Sequence, residues 1–225
     1  MVKAMQYGNK SEHTRSKCIK CGQCCRRNSP ALHQEDLPLI TGKSLGRNTL
    51  ILYRRGEPAL DNVMGTPVLL GREMIKIRSA NAGHRGCLFL DQHSGHCSIY
   101  GSRPMECSLL ECWNPDPLMN YYQKNRLTRA DIFPKGSAMD ELICMHEEKC
   151  PVTELSYMLQ QEINAPGTLR EEINSLLAFD DSFRQGFQEK TGAHEEDMLF
   201  YFGRPLKDLV RPLRDFLKLN PDGKI

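Results

Sequence analysis

The sequence lacks the features of membrane and exported proteins. None of its apolar runs reaches the roughly 18 residues of a membrane-spanning helix. The segment from Met1 to Lys17 is polar and has no apolar core of a secretory signal. We therefore expect a cytoplasmic protein with no membrane partner, in a compartment where thiols stay reduced.

A strong charge of one sign and the common catalytic motifs are also missing. The 30 Lys and Arg residues nearly balance the 28 Asp and Glu residues, which leaves a net charge of +2 and no strong signal for a nucleic-acid partner. The chain contains no Gly-rich phosphate loop, nucleophile elbow or His-Glu-x-x-His pattern. No catalytic residue can be assigned, so enzymatic activity stays open.

Cysteine, in contrast, is abundant. The chain has 10 cysteines, and four of them fall between positions 18 and 25. A disulfide framework is disfavoured because cytosolic disulfides are rare, and scattered core cysteines do not explain so dense a cluster. We interpret eight thiols as metal ligands: Cys18, Cys21, Cys24, Cys25, Cys87, Cys97, Cys107 and Cys112.

The spacing of the first cysteines bears on the metal. Cys18, Cys21 and Cys24 repeat the Cys-x-x-Cys spacing, which lets the chain turn its sulfurs toward one metal. Three thiolates at this spacing begin the motif of bacterial ferredoxins, whereas zinc sites usually have two separated pairs. This favours an iron–sulfur cluster, 4Fe-4S first, with zinc as the alternative. Cys25 breaks the repeat and is either a ligand of a second centre or a structural or redox-active spectator.

The later cysteines are expected to close the same metal region. A turn-rich linker at 91–95 predicts a hairpin that places Cys97 opposite Phe89 and diagonal to Cys87. Pro104 begins a helix that carries Cys107. Cys112 lies five residues further on, about 140° around a helix, so either the helix ends first or the two thiols serve different sites.

Basic residues flank these cysteines: Lys17, Lys20, Arg26, Arg27, Arg85 and Arg103. They stabilise an anionic metal–thiolate centre, dock an acidic partner, or form an ordinary solvated face. Further along, His146 and Cys150 lie four residues apart and could share a helical face as an extra ligand pair, but we favour a helix end with one buried thiol. The role of Cys144 stays open.

The residues from Cys18 to Cys112 resemble the CxxCxxCC family of zinc- or iron-chelating (YkgJ-like) cysteine cluster proteins. The resemblance rests on all eight cysteines and on two segments, Gly86-Cys87-Leu88-Phe89-Leu90 and Arg103-Pro104-Met105-Glu106-Cys107. Ser108 and Glu111 replace the arginine and proline that the family commonly has there. A similar cysteine domain occurs in flagellin lysine N-methylases, which the resemblance connects to iron–sulfur chemistry.

The predicted fold is mostly α with a small β-hairpin. It has a cysteine-rich metal-binding lobe at 18–113 and a helical lobe at 114–225 packed against it. Apolar spacing and capping residues predict a strand at 73–78 and helices at about 33–40, 46–53, 137–149, 153–164, from 168, and at 205–219, with Pro212 kinking or splitting the last.

We expect a metal-cluster protein, iron–sulfur first, with a redox or electron-transfer role and an unidentified protein partner. A zinc-stabilised interaction module is the first alternative. The second is an iron–sulfur-dependent protein-modifying enzyme that resembles the lysine N-methylases.

Overall fold

The computed structural model describes residues 16–61, 64–80 and 86–220. It confirms the predicted class, because the described residues are mostly helical and contain two small antiparallel sheets. The helices are α1 Gln23–Arg27, α2 Leu37–Thr41, α3 Met105–Leu109, α4 Asp116–Met119, α5 Ala138–Lys149, α6 Val152–Asn164, α7 Arg170–Thr191, α8 Glu195–Tyr201 and α9 Leu206–Leu219. The strands are β1 Leu50–Tyr53, β2 Pro58–Asp61, β3 Thr66–Leu69 and β4 Met74–Ile77.

The predicted strand at 73–78 is confirmed as β4, which pairs antiparallel with β1 and aligns Leu52 with Ile75. The predicted helix at 46–53 is wrong, because that segment forms a 3₁₀ turn at Arg47–Thr49 and then β1. Its alternating burial explains the difference. Leu50 and Leu52 are fully buried on one face of the sheet, which a strand with a period of two achieves.

A second antiparallel pair of strands forms between β1 and β4 in the sequence. Strands β2 and β3 pair antiparallel, with Pro58 opposite Leu69 and Asp61 opposite Thr66. Two further hydrogen bonds join Gly56 N–H to the Leu70 carbonyl and Leu70 N–H to the Glu57 carbonyl. The glycines Gly56, Gly65 and Gly71 lie outside the two strands, whereas Pro58 begins β2 and Pro67 lies within β3.

The helices after residue 137 follow the predicted order, with local differences at their starts. Helix α5 is capped as predicted, since Ser137 Oγ accepts a hydrogen bond from Asp140 N–H at 3.3 Å. The predicted cap of α7 is wrong: Thr168 Oγ donates to the Ala165 carbonyl, and Glu162 accepts the N–H of Leu169 at 3.0 Å. The predicted cap of α6 is also misplaced, because that helix already begins after Pro151.

Helix α9 continues through Pro212 and is not split there, although Pro212 has no N–H for the carbonyl of Asp208. Four leucines explain its continuity, because they form one buried face of the helix. They are Leu206, Leu209, Leu213 and Leu217. Burial of a whole face stabilises the helix against the loss of one hydrogen bond.

The main hydrophobic core draws on both halves of the chain. Leu52 and Ile75 of the β1–β4 sheet pack in one cluster with Cys87, Phe200 and Phe202. A second cluster joins α6, α7 and α9. The cysteine-rich part thus shares its core with the C-terminal helices. Among the described residues, no helix is both long and apolar enough to span a bilayer.

Candidate metal centre

The first cysteine set lies on an exposed turn that leads into α1. Lys20 has a φ of 57° and Gly22 a φ of 70°, so the chain turns sharply between these cysteines. Cys18, Cys21 and Cys24 are exposed, whereas Cys25 is half-buried and packs on the main core. This arrangement presents three sulfurs at the surface and a fourth toward the interior.

The hairpin predicted for 87–100 is only partly present. Leu90 and Cys97 form an isolated antiparallel bridge, so the predicted pairing of Cys97 with Phe89 is wrong by one residue. A turn precedes the bridge, closed by Leu90 N–H donating to the Cys87 carbonyl at 3.1 Å. The first half of the expected hairpin pairs elsewhere: Cys87 forms an antiparallel bridge with Ser79, and Leu88 N–H donates to the Arg78 carbonyl.

Two glycines hold the linker against the first cysteine set. A side-chain carbon added at Gly22 would lie 2.2 Å from the carbonyl oxygen of Gly95, so the two backbones touch. Gly95 itself has a φ of 72°. Asp91 closes the linker by accepting the N–H groups of His93 at 2.8 Å and Ser94 at 3.2 Å. Only glycine allows this approach at position 22.

Helix α3, which carries Cys107, is held by hydrogen bonds to residues 31–36. The Glu106 carboxylate accepts the N–H of Ala31 at 2.8 Å and lies 3.3 Å from His33 Nε2. Asp36 accepts the N–H of Met105 at 2.8 Å. These contacts join the start of α3 to the chain that follows the first cysteine set. Because α3 ends at Leu109, Cys112 lies beyond it, as one of the two sequence alternatives required.

The two cysteine sets meet directly. The N–H of Cys87 donates to the carbonyl of Cys25 at 2.7 Å, and the sulfurs of Cys24 and Cys25 lie 3.8 Å apart. Cys107 interacts electrostatically with Cys87, Cys24 and Cys97. Five of the eight predicted ligands therefore gather in one region: Cys24, Cys25, Cys87, Cys97 and Cys107.

The pKa values show how these thiols influence one another. Donation by the Cys25 thiol lowers the pKa of Cys24 to about 6, and the same hydrogen bond, with burial, raises the pKa of Cys25. Burial raises the pKa of Cys87 to about 11 and that of Cys107 well above its ordinary value. Buried thiols of this kind ionise when a bound cation compensates the thiolate charge.

The other three predicted ligands lie at the edge of this group. Cys18 forms a hydrogen bond with the hydroxyl of Tyr100, whose backbone N–H donates to Cys97, so it reaches the second set through Tyr100. Cys21 and Cys112 are exposed. Across the described residues, no three cysteine sulfurs lie mutually within 4.8 Å. Metal binding would therefore draw outer sulfurs toward those that already meet.

The flanking cations take different positions. The Tyr100 ring lies beneath the guanidinium of Arg103, at 3.9 Å, and the ammonium of Lys20, at 4.5 Å. Arg103 also interacts electrostatically with Cys24. Lys17, Arg26 and Arg27 are exposed, and the predicted Arg85 lies outside the described residues. Part of the basic set is thus positioned against the thiols.

Sequence reasoning missed one cation, Lys76 on β4. Its ammonium donates to Asn28 Oδ1 at 3.1 Å, and it interacts electrostatically with Cys87 and Glu106. Burial lowers the pKa of Lys76 to about 8. The signal was present in the strand Met-Ile-Lys-Ile, where a lysine alternates with buried isoleucines.

A second group of potential ligands lies among the helices. Donor atoms of His146, Cys150 and Asp180 lie mutually within 4.8 Å, and all three residues are buried. The Asp180 carboxylate already accepts hydrogen bonds from Arg184 Nε at 2.9 Å and from the Leu206 N–H at 2.7 Å. His146 Nε2 also lies 2.7 Å from this carboxylate. We interpret the group as a structural ion network, in line with the buried thiol expected at this helix end.

Together, the fold and these contacts define a cysteine-cluster protein in which two distant sets of thiols meet. Residues 17–126 match the CxxCxxCC family model, described as "Putative zinc- or iron-chelating domain". The resemblance seen in the sequence is therefore confirmed over these residues. Searches of curated proteins and of solved structures found no match.

Proposed function

We propose that this protein binds a metal cluster through its eight cysteines, that the cluster is iron–sulfur, 4Fe-4S in the first place, and that the protein has a redox or electron-transfer role. The hydrogen bond from Cys87 N–H to the Cys25 carbonyl is the observation that carries this proposal. It joins two cysteine sets that lie about 60 residues apart in sequence, as a shared centre requires.

The donor set fits such a centre. Thiolate sulfur is the ligand of iron–sulfur clusters and of many zinc sites, and both need four ligands per centre. The cluster itself would supply one-electron transfer. Because Cys18, Cys21 and Cys24 are exposed, a centre held by them would lie close to the surface, where a partner protein can exchange electrons with it.

The test is anaerobic purification of the full chain, followed by iron, zinc and acid-labile sulfide analysis and an absorption spectrum. We expect iron and sulfide in equal amounts and a brown colour that a reductant bleaches. The Cys144→Ser variant is the control, because Cys144 is exposed on α5 outside the two sets. A colourless protein with stoichiometric zinc and no sulfide would contradict the iron–sulfur proposal.

Zinc-stabilised interaction is the second candidate, because eight thiols suit two tetrahedral zinc sites as well as they suit two four-ligand clusters. The exposed side chain of Ile19 between Lys17 and Lys20 offers an apolar contact to an acidic partner. In this case chelation under reducing conditions should remove zinc and disorder residues 16–28 and 86–112, as measured by hydrogen exchange. A chelated protein with unchanged exchange would contradict this candidate.

A further inference from the structure

Backbone pairing on both sides sets the position of Lys76, which lies near the cysteine cluster. It lies on β4 between Ile75 and Ile77, which are buried in the main core, and its backbone pairs with Ile51 of β1. An antiparallel bridge also joins Lys76 to Ala31, in the segment that follows the first cysteine set. A side chain that alternates with two core residues leaves the sheet on the opposite face.

The ammonium of Lys76 touches the end of the cysteine-bearing helix. It donates to Asn28 Oδ1 at 3.1 Å, and the backbone N–H of Asn28 donates to the Cys24 carbonyl at 3.2 Å. Asn28 is the residue at which α1 ends. Lys76 is therefore connected through one residue to Cys24.

The same ammonium also acts on the second cysteine set. Lys76 and Cys87 influence each other electrostatically, and Glu106, which precedes Cys107, is the other anionic neighbour of Lys76. Glu106 already has hydrogen-bonding partners in Ala31 and His33. The Cys87 thiolate, once ionised by a bound metal, is a second negative charge beside this ammonium, in addition to that of Glu106.

We propose that Lys76 is a positioning residue of the metal centre, and that its positive charge stabilises the metal-bound thiolate of Cys87 while its hydrogen bond to Asn28 holds the end of α1, the helix that carries Cys24. This inference rests on the proposed metal-binding function. Groups that orient metal ligands commonly change the affinity for the metal by 10–100-fold when they are replaced.

The two roles can be separated by substitution. Lys76→Met removes both the charge and the hydrogen bond, whereas Lys76→Arg keeps the charge. Asn28→Ala removes the hydrogen-bond acceptor and leaves the charge in place. Lys135→Met, at an exposed loop position, is the matched control for loss of a lysine charge.

The experiment uses the full chain, stripped of metal and kept reduced and anaerobic. Cobalt(II) and zinc are the probes: the cobalt–thiolate absorption band reports ligation, and competition with a chelator gives the affinity. We expect Lys76→Met to weaken zinc binding by about tenfold or more, Lys76→Arg to stay within a fewfold of the original chain, and Asn28→Ala to fall between them. Lys135→Met should leave the affinity unchanged.

Three outcomes of the binding experiment would contradict the proposed role of Lys76. Unchanged affinity in Lys76→Met, with metal bound by the original chain, would overturn the inference alone. Equal losses in Lys76→Met and Asn28→Ala would overturn the role of the charge. If the original chain binds neither cobalt nor zinc and also purifies without iron and sulfide, the proposed function fails as well. Far-UV circular dichroism checks folding, and Lys76→Gln replaces Lys76→Met in the same comparison if the latter does not fold.

Discussion

The backbone N–H of Cys87 lies 2.7 Å from the carbonyl oxygen of Cys25 and donates a hydrogen bond to it. Cys87 is buried and Cys25 half-buried, and both belong to the main core or pack against it. The contact therefore joins the two cysteine sets through the backbone. It leads to predictions about the individual cysteines and about the turn before α1.

The cysteines of the first set should contribute unequally to metal binding. Cys18→Ser, Cys21→Ser and Cys24→Ser should each strip the metal, because these residues share the repeated Cys-x-x-Cys spacing. Cys25→Ser should remove the metal of a second centre or none. Metal content per protein is the measurement, with Cys144→Ser as the control. Equal and complete loss in all four variants would instead indicate one cooperative polynuclear site.

Gly22→Ala should weaken both the fold and metal binding. At a φ of 70° an alanine costs about 1–2 kcal/mol in free energy of unfolding, and here its Cβ would also collide with the Gly95 carbonyl. Gly136→Ala is the matched control, since its φ is 77° but nothing lies within 4 Å of an added Cβ. Thermal unfolding and chelator competition should therefore show a larger loss for Gly22→Ala. Equal losses would mean that the contact with Gly95 is unimportant.

In the metal-free protein, Cys24 should react as a thiolate near neutral pH. Because the Cys25 thiol donates to its sulfur, the pKa of Cys24 is lowered to about 6. Alkylation by iodoacetamide, followed by peptide mapping across pH 5–9, should give a half-maximal rate near pH 6 for Cys24. Cys25→Ala should move that midpoint up toward an ordinary thiol. An unshifted midpoint in the variant would rule out the hydrogen bond as the cause.

Removing the Asp180 carboxylate should destabilise the helical half. Asp180→Ala leaves the buried Arg184 guanidinium without its carboxylate partner, which typically costs about 3–5 kcal/mol. Asp181→Ala is the control, because Asp181 forms an exposed pair with Lys207 worth at most about 1 kcal/mol. Denaturant unfolding at pH 7 measures both. A metal content unchanged in Asp180→Ala would support the structural interpretation of this network.

The contribution of Asp180 to the free energy of unfolding should depend on pH. The hydrogen bond with His146 and the charge of Arg184 outweigh burial and lower the pKa of Asp180 to about 2, below the unfolded value of about 3.9. Its stabilising contribution is therefore present above pH 4 and is lost as the pH falls toward 2. The difference in unfolding free energy between the original chain and Asp180→Ala should shrink over that interval. A difference that stays constant from pH 5 to pH 2 would contradict this assignment.

Local signals in the sequence predicted the elements that depend on local chemistry. The strand Met74–Ile77 alternates, and Ser137 caps α5. The identity and spacing of the eight cysteines likewise indicated a chelating domain, and residues 17–126 match the model of a zinc- or iron-chelating domain. The strand and the helix cap are each set by a few neighbouring residues, so the sequence alone was sufficient to predict them.

Only the tertiary structure decided how the pieces meet. Leu50 and Leu52 became strand residues because β4 offers them a partner, and Thr168 lost its capping role because Glu162 takes the nearby N–H groups. Lys76 reached the cysteines only because Pro30 to Leu32 runs beside β4. Such contacts join residues far apart in the chain, and their energies depend on burial and on partners that no local pattern records.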